Sequence, residues 1–316
     1  MRPPPAPTSQ LEFLGKVELA HGLLFADTTV GGLSGITYDA GRDQYYVISD
    51  DRSAKSPARF YTMSIALSGS NLARVDLRGG TTPLLNTDGQ RFAPKSATTV
   101  PPDPEGIAFD SRRQQLYWSS EGGERIVKPD TPPVLLDPWV RTAALDGAFR
   151  GQFALPPGIA HVRRRYGGPR KNQALEGLTL APDGTALWAG MEDPRFQRRT
   201  GAHRRAGRVD QDHPARSGDA AADGGSMPTR WIRSARGAGG GNGLSDLVAL
   251  NAEDFLVIER GHGTKTSVHI YRASIAGGGR HSGPAVVGGG RHPCARPWWP
   301  TCLRRCIRWT TSRESP

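Results

Sequence analysis

Asp103-Pro104-Glu105-Gly106-Ile107-Ala108-Phe109-Asp110, followed across a short polar turn by Leu116-Tyr117-Trp118-Ser119-Ser120-Glu121, is the stretch on which the fold turns. It has copies on both sides. Upstream stands Gly32-Leu33-Ser34-Gly35-Ile36-Thr37-Tyr38-Asp39, then Tyr45-Tyr46-Val47-Ile48-Ser49-Asp50-Asp51. Downstream stands Ala174-Leu175-Glu176-Gly177-Leu178-Thr179-Leu180, then Ala186-Leu187-Trp188-Ala189-Gly190-Met191-Glu192-Asp193. A looser fourth copy is Gly243-Leu244-Ser245-Asp246-Leu247-Val248-Ala249-Leu250, then Phe255-Leu256-Val257-Ile258-Glu259-Arg260. The equivalent positions Gly35, Gly106, Gly177 and Asp246 lie 71, 71 and 69 residues apart. In the first three copies an acid (Asp50, Glu121, Glu192) follows that glycine by 15 residues. Chance does not keep such a register three times.

Each copy has the pattern of two short strands joined by a polar turn, as in Asp110-Ser111-Arg112-Arg113 and Ala181-Pro182-Asp183-Gly184. Further strand-like runs follow at Arg59–Leu67 and Ser267–Ala273, and no amphipathic helix of useful length is present. Repeated sheet units that bury their faces against neighbours predict an all-β fold, a β-propeller. The interval of about 70 residues exceeds the usual 40–45 per blade, so some intervals hold long loops or extra strands. The run Leu11–Leu19 is expected to close the ring by adding a strand to the last blade.

The charge is not spread evenly. The 316 residues carry a formal net charge of +11. Two segments account for all of it: residues 198–238, with nine Arg against four Asp, and residues 277–316, with seven Arg against one acid. The remainder holds 25 basic and 25 acidic residues, which is not the footprint of a nucleic-acid groove. All three cysteines (Cys294, Cys302, Cys306) fall in the second segment, so the remainder says nothing of redox compartment. Neither segment has strand or helix periodicity. Both suit either an unstructured Arg-rich loop and tail or out-of-frame translation of a G+C-rich gene. The chain therefore divides into a disordered N-terminus (1–10), a propeller domain (11–276) interrupted by an irregular segment (198–240), and an irregular tail (277–316). No run approaches the roughly 18 apolar residues that span a membrane, and Met1-Arg2-Pro3-Pro4-Pro5-Ala6-Pro7 lacks the apolar stretch of a signal peptide.

The acids carry the chemistry. A hairpin returns the start of its first strand and the end of its second to the same rim. Glu105, Glu176, Asp50, Asp51, Glu121 and Glu192 should thus meet around the mouth of a central channel. A ring of carboxylates repels itself unless cations neutralise it, and a hard oxygen donor set suits Ca²⁺ or Mg²⁺ better than zinc. The alternative is that these acids cap turns and pair with the Arg residues that follow them. Glu105 and Glu176, each followed by a Gly that lets a ligand approach the backbone, are the stronger catalytic candidates. Asp50, Asp51, Glu121 and Glu192 are candidate metal ligands, and Arg52 and Arg125 candidate partners for substrate charge.

The combination of Glu-Gly-Ile-Ala-Phe-Asp (105–110), Leu-Glu-Gly-Leu-Thr-Leu-Ala-Pro-Asp-Gly (175–184), Ile-Ser-Asp-Asp (48–51) and Asn-Gly-Leu-Ser-Asp-Leu (242–247) resembles the bacterial family described as esterase-like activity of phytase. The resemblance covers residues 11–197 and 241–276. It implies a phytase-like propeller of about five to six blades, an exported or cell-envelope protein, and calcium-dependent hydrolysis of a small-molecule phosphate ester or ester by a monomer. The chain departs from the pattern in two places: no further Asn-x-Glu-Gly copy follows Ile275, and the segment after Gln197 interrupts a blade.

Other chemistries lack their residues. There is no Gly-x-Ser-x-Gly elbow for a serine hydrolase, and no Gly-rich loop ending in Lys-Ser or Lys-Thr for a nucleotide. The expected function is a metal-dependent phosphoester or ester hydrolase. The alternatives are a non-catalytic propeller that binds a protein or glycan on its rim, and a lactonase-like hydrolase using the same metal ring.

Overall fold

Short runs of β-branched and aromatic residues, each bounded by Gly, Asp or Pro, become strands throughout the chain. The computed structural model describes residues 11–96, 98–125, 134–155, 172–192, 229–233, 241–262 and 266–274. The N-terminal residues 1–10, the tail from 275 onward and most of 198–240 lie outside these, as do all three cysteines.

Eighteen strands form among the described residues. Leading into the repeat are β1 (Leu24–Phe25) and β2 (Thr28–Thr29). The first copy and its sequel give β3 (Leu33–Asp39), β4 (Gln44–Ser49), β5 (Arg59–Ser68) and β6 (Asn71–Pro83). The second gives β7 (Pro104–Asp110), β8 (Gln115–Ser120), β9 (Gly123–Arg125), β10 (Val134–Leu136), β11 (Trp139–Ala143) and β12 (Phe149–Gln152). The third gives β13 (Leu175–Leu180), β14 (Leu187–Met191) and β15 (Thr229–Arg233). The fourth gives β16 (Gly241–Ala249), β17 (Asp254–His262) and β18 (Ser267–Ser274).

Each repeat is one sheet. The strand orders are β3-β4-β5-β6, β7-β8-β11-β12, β13-β14-β15 and β16-β17-β18, with β1-β2 and β9-β10 as small separate ladders. The first strand of each sheet is innermost. β3 packs on β7, β7 on β13, β13 on β16, and β16 touches β3 again, so the four sheets stand as blades about a shared axis. The fold is an all-β propeller, and four blades lie within the described residues, where the family resemblance implies about five to six for the whole. No described helix is long and apolar enough to cross a membrane.

The inner strands approach so closely that their glycines are required. A Cβ on Gly35 would fall 2.7 Å from the Glu105 carbonyl oxygen, one on Gly106 2.6 Å from Leu178 Cβ, and one on Gly177 2.4 Å from Leu247 Cδ2. The repeating Gly is thus the tooth by which each blade meshes with the next. Two threonines lock the same contacts. Thr37 Oγ1 accepts from Phe109 N at 3.0 Å, and Thr179 Oγ1 from Ala249 N at 3.1 Å.

The core lies between blades rather than at the centre. Ile48, Phe60, Leu116 and Trp118 fill the first interface, Tyr117, Val140, Leu175 and Leu187 the second, and Trp188, Leu244 and Phe255 the third. Each such side chain contributes about 1.5–3 kcal/mol by leaving water. Because strand residues alternate, β8 serves two interfaces and is buried along its whole length. On β3, by contrast, Ile36 and Tyr38 face away from blade 2 and are exposed.

Two segments outside the four copies also make contacts. Among the described residues the N-terminal run touches blade 1: Leu14 is buried and its carbonyl accepts from Leu72 N at 2.6 Å. It lies along β6, whose outer peptide groups have no further strand in the sheet to pair with. In the Arg-rich segment, Thr229–Arg233 forms β15, paired in parallel with β14. A parallel partner needs a long crossover, and the interval between Met191 and Thr229 supplies the length.

Candidate active site

One irregularity recurs in all four blades. The ladder between the first two strands shifts register between Leu33 and Gly35, Pro104 and Ile107, Leu175 and Leu178, and Leu244 and Asp246. A β-bulge at one fixed place kinks the strand and re-aims its side chains. The bulge holds Ser34, Glu105, Glu176 and Ser245, the residues in the equivalent first-strand position. A second constant fixes the opposing strand. Asp50 N donates to Gly32 O at 2.7 Å, Glu121 N to Asp103 O at 3.0 Å, and Glu192 N to Ala174 O at 2.9 Å. The two features bring bulge acid and strand-end acid to one rim.

The result is a carboxylate cluster. Asp103, Glu105 and Glu121 each place an oxygen within 4.8 Å of the others, and so do Glu121, Glu176 and Glu192, with Glu121 common to both groups. Ser34 Oγ donates to Glu105 Oε2 at 2.5 Å, and Ala174 N to Glu121 Oε1 at 2.6 Å. Asp103 is almost fully buried, and its Oδ1 has no hydrogen-bond partner. Gly106 N is held by Ser119 Oγ at 2.8 Å, and Ser120 Oγ accepts from both Asp103 N and Gly122 N, which fixes the backbone around Glu105 and Glu121.

Crowding and burial dominate the electrostatics. Burial pushes Asp103 up to about 6, against the pull of Arg52. It pushes Glu121 up to about 8, with Asp103 and Glu192 adding repulsion and the Ala174 amide opposing. Burial, then Glu105, Glu121 and Glu192, push Glu176 up to about 11, and Arg260 counters in part. Glu105 is raised well above the usual carboxylate range by burial and by Asp103, despite the hydrogen bond from Ser34. Such a set suits a cation: the donors are all oxygen, one buried oxygen lacks any partner, and the charges repel.

Of the residues singled out in the sequence, Glu105, Glu176, Glu121 and Glu192 come together in the cluster. Asp50 lies beside it, an exposed residue whose carboxyl group sits against Gly32 and is raised by partial burial. Asp51 points elsewhere. Its Oδ1 accepts from Ala54 N and Lys55 N, and its Oδ2 from Ser56 N and from buried Arg59 at 2.9 Å. Burial would raise its pKa, but Arg59 and these amides outweigh it and hold it low. Arg52 forms an ion pair with Asp103 at 2.6 Å and hydrogen-bonds Asn172. Arg125 pairs with Val134 through the backbone of β9, and its side chain lies outside the described residues.

Asp103 was not singled out, although its signal was present. It stands where the other copies carry Gly32, Ala174 and Gly243, so an acid replaces a small residue at this position of the repeat.

A search of curated proteins gives no match. Among solved structures, the periplasmic gluconolactonase PpgL of Pseudomonas aeruginosa is similar at 11% identity and a TM-score of 0.36, over 79% of this chain and 70% of that one. Residues 28–298 match the Phytase-like family, described as esterase-like activity of phytase. With most of its length matched, the chain belongs to that phytase-like family.

Proposed function

We propose that the chain is a calcium-dependent hydrolase of phosphate esters or esters, acting at the carboxylate cluster on the propeller rim. The observation that carries this reading is the pair of acidic groups sharing Glu121, with Asp103 Oδ1 buried and unpartnered among them. Asp103, Glu105, Glu121 and Glu192 would hold the ion. Calcium accepts six to eight oxygens in irregular geometry, which matches a site drawn from the loops and bulges of two blades. When bound, it supplies Lewis-acid polarisation of a phosphoryl or carbonyl oxygen.

The chain's own groups divide the remaining work. Ser34 fixes one oxygen of Glu105 and so orients it. Glu176 is largely buried and makes no side-chain hydrogen bond among the described residues, and its raised pKa lets it hold a proton at neutral pH. It is the group placed to exchange a proton with a reacting ester oxygen or with water. Arg52, anchored by Asp103 and Asn172, stiffens the rim between blades 1 and 2. Export to the cell envelope, action on a small molecule and a monomeric state belong to the same proposal.

The test is direct. The full chain is titrated with calcium by calorimetry and assayed on phosphate monoesters, simple esters and lactones, with and without EGTA. Glu105→Gln with Glu176→Gln should abolish calcium-dependent turnover while leaving a cooperative melt. Unchanged turnover in that double variant would sink the assignment. Calcium-independent capture of a protein or glycan with no turnover would favour the binding-module alternative.

A further inference from the structure

We infer that Arg260 is the residue by which this site selects a phosphoryl group over a neutral ester, an inference that rests on the hydrolase reading above. Three placements carry it. Arg260 lies on β17 directly across from Gly243 of β16. Gly243 lies directly against Glu192: a Cβ there would fall 2.3 Å from Glu192 Cγ and 2.7 Å from its Oε1. Leu244 N also donates to the Glu192 carbonyl at 3.2 Å. Arg260 therefore enters the rim from blade 4, one strand away from a member of the cluster.

Its charge also reaches across the mouth. It pulls down the carboxyls of Asp50 of blade 1 and Glu176 of blade 3, so both lie within its electrostatic reach. The side chain is exposed and makes no hydrogen bond or ion pair among the described residues. Two other cations near the rim whose side chains are described are committed: Arg52 to Asp103 and Asn172, and Arg59 to Asp51, Tyr61 and the carbonyls of Ser56, Pro57 and Thr29. A planar, permanently charged fork without a dedicated partner, beside a carboxylate cluster fit for a cation, is complementary to the oxygens of a phosphoryl group. A neutral ester offers it nothing comparable.

The alternative role is general: Arg260 offsets the negative field of the rim, whatever the substrate. The two roles separate in Arg260→Gln and Arg260→Lys, compared with the wild-type full chain in calcium. Inorganic phosphate binding is read by calorimetry, and turnover is read on p-nitrophenyl phosphate and p-nitrophenyl acetate. Arg260→Gln should weaken phosphate binding about 10- to 100-fold and raise KM for the phosphate ester by a similar factor, with kcat little changed. KM for the acetate should not move. Arg260→Lys should recover only part of the loss, because an ammonium cannot bind two oxygens as a fork. Equal phosphate affinity in wild type and Arg260→Gln, parallel shifts for both esters, or no phosphate binding by the wild type would each overturn the inference. If neither ester is hydrolysed yet phosphate binding still falls in Arg260→Gln, the hydrolase reading fails and the oxyanion role of Arg260 stands.

Discussion

The two ends of the blade 2 hairpin carry acids from the same repeat and treat them in opposite ways. At the turn end, Asp110 Oδ1 accepts from Arg112 N and Arg113 N, each at 3.0 Å, and its Oδ2 accepts from Arg113 Nη1 and Tyr117 Oη, each at 2.9 Å. Tyr117 is braced in turn by Gln115. Blade 1 repeats the device with Asp39, Gly41, Arg42, Tyr46 and Gln44. Burial alone would raise the Asp110 pKa, but its donors prevail and hold it low. At the mouth end, Glu105 and Glu121 face other carboxylates and their pKa values rise. Blade 3 puts Ala181 and Trp188 in the places of the turn acid and tyrosine, yet keeps Glu192 at the mouth. The turn acids are therefore structural and dispensable blade by blade. The mouth acids of blades 2 and 3 instead converge on one cluster.

The largest effect that tests this contrast comes from Glu121→Gln. Gln keeps an acceptor for Ala174 N but removes the carboxylate common to both acidic groups. Calcium binding by calorimetry should weaken on the order of 1000-fold, because ligand charge sets affinity in such sites. The melting temperature in EGTA should hold or rise, since the burial and repulsion that disfavour an ionised Glu121 no longer apply. Calcium affinity that survives the change would erase the distinction between the two ends.

Asp51→Ala probes the residue that the sequence places at the mouth and the structure gives to Arg59. Arg59 is almost wholly buried, so removing its acid leaves a buried charge without its counter-charge. Stability in urea should fall by about 3 kcal/mol, with calcium affinity within about threefold of wild type. A variant that melts normally and loses calcium would return Asp51 to the metal site.

How much of this was legible in sequence follows from what sets each feature. The blades were legible because the spacing of 71 residues preserves Gly35, Gly106 and Gly177, and each of those glycines answers to the backbone of the next blade. The convergence of Glu105, Glu121, Glu176 and Glu192 was legible for the same reason. What a repeat cannot reveal is where one member of an acidic pair turns aside. Asp50 and Asp51 are neighbours in sequence, but successive strand-end residues point in opposite directions, and only one can face the mouth. Asp103 was hidden by its departure from the repeat. The docking of Leu14 on β6 depends on which sheet edge is left open, a property of the assembled blades.

A smaller effect is expected at the turn end. Asp110→Asn loses the charge assistance in four hydrogen bonds but keeps the shape. It should cost about 2 kcal/mol in urea and leave calcium binding and turnover unchanged. Loss of calcium binding would mean that the turn end communicates with the mouth and that the two ends are not independent.

The smallest change per step is in pH dependence, and there the two ends carry opposite signs. The folded Asp110 carboxyl lies below its ordinary value. Its stabilisation is therefore present above the ordinary aspartate range and is lost as pH falls through the folded value. Asp103 and Glu121 are shifted the other way, to about 6 and about 8. In EGTA the folded chain holds protons there that the unfolded chain has already released. Stability should then decline as pH rises from the ordinary carboxylate range to about 8, by at most about 1.4 kcal/mol per pH unit for each proton. Calcium binds the deprotonated carboxylates, so in millimolar calcium the slope over the same window should flatten or reverse. Urea midpoints measured from pH 5 to pH 8 in EGTA and in calcium would show two diverging lines. If they run parallel, the mouth acids do not compete between proton and cation, and the contrast with the turn end loses its physical basis.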